Sequence, residues 1–275
     1  MAGIFDTDKS LILERVQVNI PFSWLMDEQA GWMEMFIENR LNPEIGLDSE
    51  ALDKYTPAQF AAAANRFHGI KRCITVHGPF LDLSPGSPDK AVRAVTRQRL
   101  EQMIEAAEAF SPLTVVCHCG YDEARYGCIR DPWYEKAAEI WKHTARKLAE
   151  KNIQLMLENV YETDPDEIGR IFEITGEENI GCCLDVGHLS VFGRRPLKGW
   201  INRLSPYIGQ IHLHDNRGQS DEHMGMGLGS IDFAPLFDWL RGLSKMPIIT
   251  LEPHDRDALA ASVSYLEKQG FFATA

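Results

Sequence analysis

The chain has 275 residues, of which 44% are hydrophobic and 25% charged, and its formal net charge is −12. Length and composition fit one large globular unit, so we interpret residues 1–275 as a single domain. The acidic excess disfavours nonspecific binding to nucleic acid, which requires basic surface. No apolar run reaches the roughly 20 residues that a membrane-spanning helix needs, so we expect no membrane association.

The N-terminal segment and the cysteines favour a cytoplasmic protein. The first residues lack the basic flank, apolar stretch and small-residue cleavage site of a secretory signal. The six cysteines do not follow the spacing of a disulfide framework, and four of them fall in predicted strands. We therefore expect reduced, buried thiols.

Short apolar runs alternate with helix-spaced segments along the whole chain. The strand predictions cover residues 15–20, 44–47, 72–76, 113–117, 153–157, 180–184, 208–213 and 247–251, and the second is the weakest. The helix predictions cover residues 27–41, 49–67, 88–110, 133–151, 164–175, 196–204, 233–243 and 255–269. Strict alternation indicates a parallel sheet of the α/β class, and eight units favour a closed (β/α)₈ TIM barrel. A doubly wound open sheet is the alternative, although no G-x-G-x-x-G follows the first strand.

Six successive predicted strands end in a side chain that can bind a metal ion. These residues are His77, His118, Glu158, Asp185, His212 and Glu252, and the loops add His188, Asp221 and His223. Functional side chains of such barrels lie at the carboxyl ends of the strands, where we expect these nine to converge. One histidine at a strand end is usually a packing residue, but six consecutive cases indicate a divalent metal site.

The segment 208–232 is the most informative part of the pattern. It combines a strand with a loop that is rich in histidine, aspartate and glycine. Gln210 shares the predicted inward face with His212, so it needs a hydrogen-bond partner inside the barrel. Four histidines fall outside the ligand pattern and are left out of it: His68, His143, His214 and His254.

These motifs together resemble the xylose isomerase-like barrel superfamily, which includes type IV AP endonucleases and many sugar isomerases and epimerases. The resemblance extends from about residue 70 to residue 252. The motifs that carry it are His77-Gly-Pro, His118, Leu-Glu158-Asn, Asp185-x-Gly-His188, His212-Leu-His-Asp-Asn, Asp221-x-His223-x-x-x-Gly-x-Gly and Leu-Glu252.

The endonuclease branch of this superfamily implies up to three divalent ions, with zinc the first expectation and manganese or another divalent ion the alternative. The first ion would be held by His77, His118 and Glu158. The second would be held by Glu158, Asp185, His212 and Glu252, and the third by His188, Asp221 and His223. Two close ions can activate water and stabilise charge on both oxygens of a phosphodiester displacement.

The isomerase and epimerase branch implies a different use of the same residues. Glu158, Asp185, His212 and Glu252 would hold one manganese-like ion, and the two glutamates would move a proton next to a carbonyl. His188 and Arg217 would contact substrate oxygens. Two further candidate substrate contacts are Arg194, which could bind a phosphate, and Tyr121, which could stack on a base or sugar. The alternative is that Arg194 belongs to a solvated basic turn and that Tyr121 is an ordinary loop residue without a role in binding.

Some segments depart from the endonuclease pattern. Val160-Tyr-Glu-Thr stands where those enzymes have Thr-Ala-Gly-Gln-Gly, and Asp185-Val-Gly-His stands for Asp-Thr-Cys-His. With the acidic charge, these differences disfavour cleavage of abasic DNA.

We predict a metal-dependent hydrolase that cleaves a phosphodiester in a small or nucleotide-like substrate, and the nucleotide loop of a cobamide is one candidate. Glu158, Glu252 and His188 would be catalytic. A one-metal sugar isomerase or epimerase and a non-catalytic binding barrel are the alternatives, with substrate, metal identity and oligomeric state left open.

Overall fold

The computed structural model describes residues 10–270, which form a closed barrel of eight parallel strands. The strands are β1 (Gln17–Pro21), β2 (Asn42–Gly46), β3 (Thr75–His77), β4 (Thr114–His118), β5 (Gln154–Glu158), β6 (Ile180–Asp185), β7 (Ile208–Leu213) and β8 (Ile248–Leu251). Each strand pairs with its neighbours in sequence, and β8 closes the barrel on β1. The predicted (β/α)₈ TIM barrel is therefore confirmed.

Helices follow the strands and surround the barrel. They are α1 (Ser10–Leu13), α2 (Phe22–Leu25), α3 (Trp32–Glu38), α4 (Ser49–Lys54), α5 (Pro57–Gly69), α6 (Lys90–Phe110), α7 (Glu123–Tyr126), α8 (Arg130–Ala149), α9 (Pro165–Thr175), α10 (Val186–Phe192), α11 (Leu197–Leu204), α12 (Ala234–Arg241) and α13 (Arg256–Lys268). Within residues 10–270, none of the helices has both the length and the apolar composition to cross a bilayer.

The single helix predicted over residues 49–67 is wrong, because two helices form there. Asp48 caps α4 by accepting a hydrogen bond from the Ala51 amide. Thr56 and Gln59 then form a reciprocal capping box that starts α5, with Pro57 in its first turn. The capping residues therefore separate two helices that the apolar spacing alone joins.

The main hydrophobic core lies between the strands and the helices. Outward-facing strand residues such as Val115, Leu155 and Ile211 belong to this core and are fully buried. Val116, Met156 and Cys183 form a separate small cluster on the inward face of β4, β5 and β6. The apolar filling of the barrel is thus short, and polar side chains occupy the rest of its interior.

A fully buried polar network crosses the barrel interior and meets the predicted requirement of Gln210. Its Nε2 donates to Glu44 Oε2 at 2.5 Å and to Thr250 Oγ1 at 3.0 Å, while its Oε1 accepts from Thr114 Oγ1 at 2.7 Å. Thr75 also donates to Glu44 Oε2, at 2.8 Å. We call Glu44, Thr75, Thr114, Gln210 and Thr250 the inner network, and its shared hydrogen bonds offset the cost of burying these polar groups.

Candidate metal centre

The strand ends bring the predicted metal ligands together at one end of the barrel. His77, His118 and Glu158 are the last residues of β3, β4 and β5, and Asp185 is the last residue of β6. His212 lies one residue before the end of β7, and Glu252 follows β8. The parallel register pairs His118 with Glu158 and Asp185 with His212, which fixes these side chains at one level.

Glu158 lies at the centre of the cluster, with its two carboxylate oxygens facing different histidines. Oε2 lies 3.0 Å from His77 Nε2 and 3.4 Å from His118 Nε2. Oε1 lies 3.1 Å from His212 Nδ1 and 3.4 Å from His188 Nδ1. Because Glu158 is 1% exposed, its carboxylate needs cationic or hydrogen-bonding neighbours, and it can be shared by two adjacent ions.

One group of potential ligands forms around His212, whose Nδ1 lies 3.0 Å from Glu252 Oε1 and 4.0 Å from Asp185 Oδ2. One donor atom from each of Glu158, Asp185, His212 and Glu252 lies within 4.8 Å of the others, and we call these four residues the glutamate group. His77 forms an overlapping set with Glu158 and His212.

A second group is built around Asp221 and shares no residue with the glutamate group. Asp221 Oδ2 lies 3.2 Å from His188 Nε2 and 3.1 Å from His223 Nε2, and Oδ1 lies 3.6 Å from His214 Nε2. Donor atoms of His188, His214, Asp221 and His223 again lie within 4.8 Å of one another, and we call these residues the aspartate group. Two complete donor sets therefore lie side by side.

His214 was left out of the sequence-based ligand pattern, but the structure places it in the aspartate group. The ring is fully buried, stacks on His223 at a centroid distance of 3.9 Å, and lies 3.2 Å from Asp185 Oδ1. Gly187 makes room for it, since a Cβ there would clash with the ring. The signal was present in the sequence, because His214 follows His212 by two residues and continues its alternation one residue past the end of β7.

The loop after β7 owes its shape to Asp215 and the glycines rather than to a ligand. The Asp215 carboxylate accepts hydrogen bonds from the amides of Gly227, Gly229 and Ile231 at 2.9 to 3.1 Å. Gly227 has φ +82°, and a Cβ on Gly229 would clash with Asp215 Oδ1. These glycines are therefore needed for the tight return of the chain that positions Asp221 and His223.

The donor set fits divalent metal ions on two counts. Six side chains among residues 10–270 have buried polar atoms without a hydrogen-bond partner, and three of them belong to the donor set: Asp185 Oδ2, Asp221 Oδ1 and both ring nitrogens of His214. The other three are the indole nitrogens of Trp133, Trp141 and Trp200. Buried polar atoms are normally satisfied, so their concentration at one point indicates a missing ligand. Imidazole and carboxylate are the ligands that zinc and manganese prefer.

The protonation of the site also fits exchange of protons for metal ions. Burial alone would lower the pKa of His223, but the hydrogen bond with Asp221 and the nearby carboxylates outweigh it and raise this pKa to about 9. Burial lowers the pKa of His118 to about 3, so that ring is neutral and able to coordinate. Burial alone would raise the pKa of Glu158, but the charge of His212 holds it well below the usual range.

The candidate substrate contacts lie away from this cluster. Arg217 has a largely exposed side chain and pairs with Glu222 at 2.6 Å. Tyr121 is buried, stacks on Tyr134 and donates its hydroxyl to Glu123. Arg194 lines a separate cavity with residues such as Glu123 and Tyr134.

Sequence reasoning missed Glu44, which is fully buried and accepts from His212. Its Oε1 lies 2.9 Å from His212 Nε2, so Glu44 links the inner network to the glutamate group. No motif marks this residue, because β2 reads Asn-Pro-Glu-Ile-Gly and lacks the apolar run of a buried strand. A charged residue at the start of the weakest predicted strand, residues 44–47, was the only available signal.

A cleft of about 360 Å³ opens onto the candidate metal ligands, and we call it the metal cleft. His77, His118, Glu158, His188, Asp221, His223 and Glu252 line it together with apolar side chains from several loops. The ligands are thus accessible to a small molecule from one side.

Sequence comparisons place this barrel among related proteins. The relatives include the uncharacterized protein MJ1311 of Methanocaldococcus jannaschii, which is 29% identical over 201 residues, covering 68% of this chain and 66% of that protein. The probable endonuclease 4 of Mycobacterium leprae is 28% identical over 172 residues, covering 58% of this chain and 65% of that enzyme. The chain thus matches about two thirds of the length of these two relatives.

Solved structures give the same architecture. The TTHB071 protein from Thermus thermophilus, in a crystal soaked with zinc chloride, has 27% identity and a TM-score of 0.77 over 92% of this chain and 97% of that one. A D-tagatose 3-epimerase-like protein has 22% identity and a TM-score of 0.79 over 94% and 98%, a likeness of fold alone. Residues 27–269 match the family described as Xylose isomerase-like TIM barrel. With the closed barrel and the ligands at its strand ends, this match shows that the chain belongs to the xylose isomerase-like TIM barrel family.

Proposed function

We propose that the protein is a hydrolase that uses at least two divalent metal ions, zinc first among them, to cleave a phosphodiester in a small or nucleotide-like substrate. The observation that carries this proposal is the presence of two donor groups with no residue in common. One ion needs only one such group, whereas phosphodiester hydrolysis profits from two ions, one for the attacking and one for the leaving oxygen.

The glutamate group would hold one ion, and His188, Asp221 and His223, joined by His214, would hold another. His77 and His118 with Glu158 would form a third position. When bound, the ions would activate water and stabilise negative charge on the phosphodiester oxygens. We assign the catalytic roles to Glu158, Glu252 and His188, which line the cleft where the substrate would lie.

Oxygen atoms behind the histidines orient them for this task. His77 Nδ1 lies 2.9 Å from the Gly78 carbonyl oxygen, and His188 Nδ1 lies 3.1 Å from that of Asn159. His212 Nε2 faces the Glu44 carboxylate at 2.9 Å. When these nitrogens carry the ring proton, the opposite nitrogen of each ring has its lone pair directed at the cluster and can coordinate a metal ion, as in many metal sites.

The relatives named endonuclease 4 support hydrolysis of a phosphodiester, while the residues after Glu158 and Asp185 and the net charge of −12 disfavour DNA as the substrate. A nucleotide-like small molecule, such as the nucleotide loop of a cobamide, retains the same bond without the polyanionic backbone.

The test is a zinc titration of metal-free protein with bis(4-nitrophenyl) phosphate as substrate. We expect hydrolysis to appear only as the second equivalent binds, and Asp221→Asn to abolish it. Asp238→Asn makes the same chemical change on the exposed face of α12 and should have no effect. Full activity at one equivalent, retained in Asp221→Asn, would rule out the two-ion hydrolase.

A one-metal sugar epimerase is the second candidate. Glu158 and Glu252 lie 3.1 and 3.0 Å from His212 Nδ1, so the two carboxylates flank this histidine. With a substrate bound between them, they could remove a proton from one face of a carbon next to a carbonyl and return it to the other face. His188 would orient the substrate. This function requires deuterium incorporation from heavy water next to the carbonyl of a ketose such as D-tagatose or D-fructose with one manganese ion bound, and unlabelled ketoses would exclude it for those sugars.

A further inference from the structure

The metal cleft combines two kinds of surface. Its floor is formed by metal ligands, among them His118 and Glu158, whereas its wall is apolar and includes Trp24, Phe80, Leu81 and Tyr161. These wall residues come from the segments after β1, β3 and β5, where Trp24 belongs to helix α2 and the others to loops. Three separate segments therefore deliver large apolar side chains to one place. A molecule bound at the metal ligands would contact this wall.

Three wall residues are aromatic rings that are backed by another ring and remain partly exposed. Phe80 stacks on His118 at 4.5 Å and is 41% exposed. Trp24 stacks on Trp32 at 6.0 Å and is 39% exposed. Tyr161 contacts Phe192 edge-on at 5.2 Å and is 52% exposed. Exposed large apolar groups that cluster at a cleft indicate a binding surface.

The charges of the cleft restrict what this surface can bind. Among residues 10–270, the charged side chains that line it are the carboxylates of Asp48, Glu158, Asp221 and Glu252, besides the histidines. Bound metal ions would neutralise the carboxylates on the floor, but Asp48 caps α4 and is not one of the metal ligands. A substrate with several phosphates would therefore meet the Asp48 carboxylate and, in the described part of the chain, no arginine or lysine side chain lining the cleft.

We propose that the substrate carries a single anionic phosphodiester, held by the metal ions, next to an uncharged flat ring that packs against the aromatic wall. This substrate class rests on the proposed hydrolase function. A cleft of about 360 Å³ accommodates one ring system with its ester group, and it is at the lower end of the range for ligand pockets. Nucleoside polyphosphates and DNA fall outside the class.

The test compares the binding of diphenyl phosphate and dimethyl phosphate to zinc-loaded protein by isothermal titration calorimetry. The two diesters have the same single charge and differ in their rings. We expect diphenyl phosphate to bind at least about tenfold more tightly, the scale of one ring stacking on an aromatic side chain. Equal affinities would overturn the proposal.

Matched variants assign the preference to the wall. Trp24→Leu and Tyr161→Leu keep apolar bulk but remove the ring, and each should reduce the preference for diphenyl phosphate several-fold, whereas Trp24→Phe and Tyr161→Phe should keep it. Leu113→Ala removes an exposed apolar side chain before the first residue of β4, at the opposite end of the barrel, and serves as the control. An unchanged preference in both leucine variants would place the rings elsewhere and contradict the proposal.

The restriction to a single anionic group is tested with thymidine 3′,5′-bisphosphate, which carries a ring and two phosphates. We expect it to bind wild-type protein more weakly than diphenyl phosphate, and Tyr161→Arg to reverse this order by adding a cation to the wall. Tight binding of the bisphosphate to wild-type protein would overturn the restriction to one anionic group.

The binding measurements separate this inference from the proposed function. Ring-selective binding without hydrolysis of any diester would refute the hydrolase but retain the aromatic subsite. Hydrolysis without ring selectivity would refute the subsite alone.

Discussion

Two polar layers lie on top of each other inside the barrel, and they differ in how well their atoms are satisfied. In the inner network, the side-chain oxygen and nitrogen of Gln210 have partners within 2.5 to 3.0 Å. In the layer of the candidate metal ligands, Asp185, His214 and Asp221 retain buried atoms that accept or donate no hydrogen bond within residues 10–270. Most residues of both layers are buried, so burial does not explain the difference.

The comparison separates structural from ligand-binding polar groups. The members of the inner network satisfy one another, with further contacts from Glu44 to Asn19 and His212, and so add rigidity beneath the site. The layer above contains buried polar atoms without a partner among residues 10–270, and we propose that metal ions bind there. Glu44 connects the two layers through His212, so the rigid layer orients a ligand of the other.

The largest effect is expected at Glu158, whose two oxygens face four histidines. Glu158→Gln removes the carboxylate charge that would help to hold an ion in the glutamate group and another ion beside His77. We expect the protein to lose at least one metal equivalent and its hydrolytic rate to fall by more than about 100-fold, since even residues behind metal ligands cost roughly 10- to 100-fold. Metal analysis with the kinetic assay checks this, and a variant with full metal content would show that Glu158 is no shared ligand.

The pH dependence of zinc affinity should follow His223. In metal-free protein its pKa is raised to about 9, so below this pH a proton must leave before the ring can coordinate. We expect affinity to rise about tenfold per pH unit from about pH 7 towards 9 through this group, since one proton is released per ion. Competition titrations with a zinc chelator measure the slope, and His223→Asn should reduce it by about one proton. An equal slope in wild type and variant would show that His223 is not a ligand.

A substitution in the inner network should affect stability and leave metal content unchanged. Gln210→Leu removes a hydrogen-bond partner from each of Glu44, Thr114 and Thr250, which remain buried in the barrel interior. We expect the free energy of unfolding to fall by about 1–3 kcal/mol, the cost of unsatisfied buried polar groups. Chemical denaturation of metal-free protein measures this change. Loss of metal with unchanged stability would reverse the assigned roles of the two layers.

The smallest effect on metal-free protein is expected at His214. Both ring nitrogens lack hydrogen-bond partners in the described part of the chain, so replacing the ring by an apolar side chain removes an unsatisfied group rather than a hydrogen bond. We expect His214→Leu to change the metal-free unfolding free energy by less than about 1 kcal/mol, while the increase in melting temperature on adding zinc becomes smaller. A strongly destabilised metal-free variant whose response to zinc is unchanged would identify His214 as a packing residue.

Much of the barrel could be predicted from the sequence, because eight short apolar runs alternate strictly with helix-spaced segments. β7 was predicted with its observed bounds, and β4 and β5 are displaced by one residue. The helices were less accurate where capping decides the boundary, as at Thr56 and Pro57. Apolar spacing shows that a segment is helical, but local hydrogen bonds determine where it starts.

The site was predicted less completely, because some roles depend on contacts between distant segments. Glu44 contacts His212, and His214 lies beside Asp185. The two residues of each pair come from different strands or loops, so the sequence does not show that they meet. Tyr121 follows a strand-end histidine by three residues, yet its ring lies in the core against Tyr134. Residue type and distance from a strand end indicate a region of the barrel, whereas the direction of a side chain depends on tertiary packing.

The central claim is that two separate donor groups each hold a metal ion. Metal content per chain, measured by inductively coupled plasma mass spectrometry on wild type and Asp221→Asn after equilibration with zinc and gel filtration, tests it most directly. We predict two or more equivalents in the wild type and the loss of one in the variant, with the glutamate group still occupied. One equivalent in the wild type, unchanged by Asp221→Asn, would contradict the account.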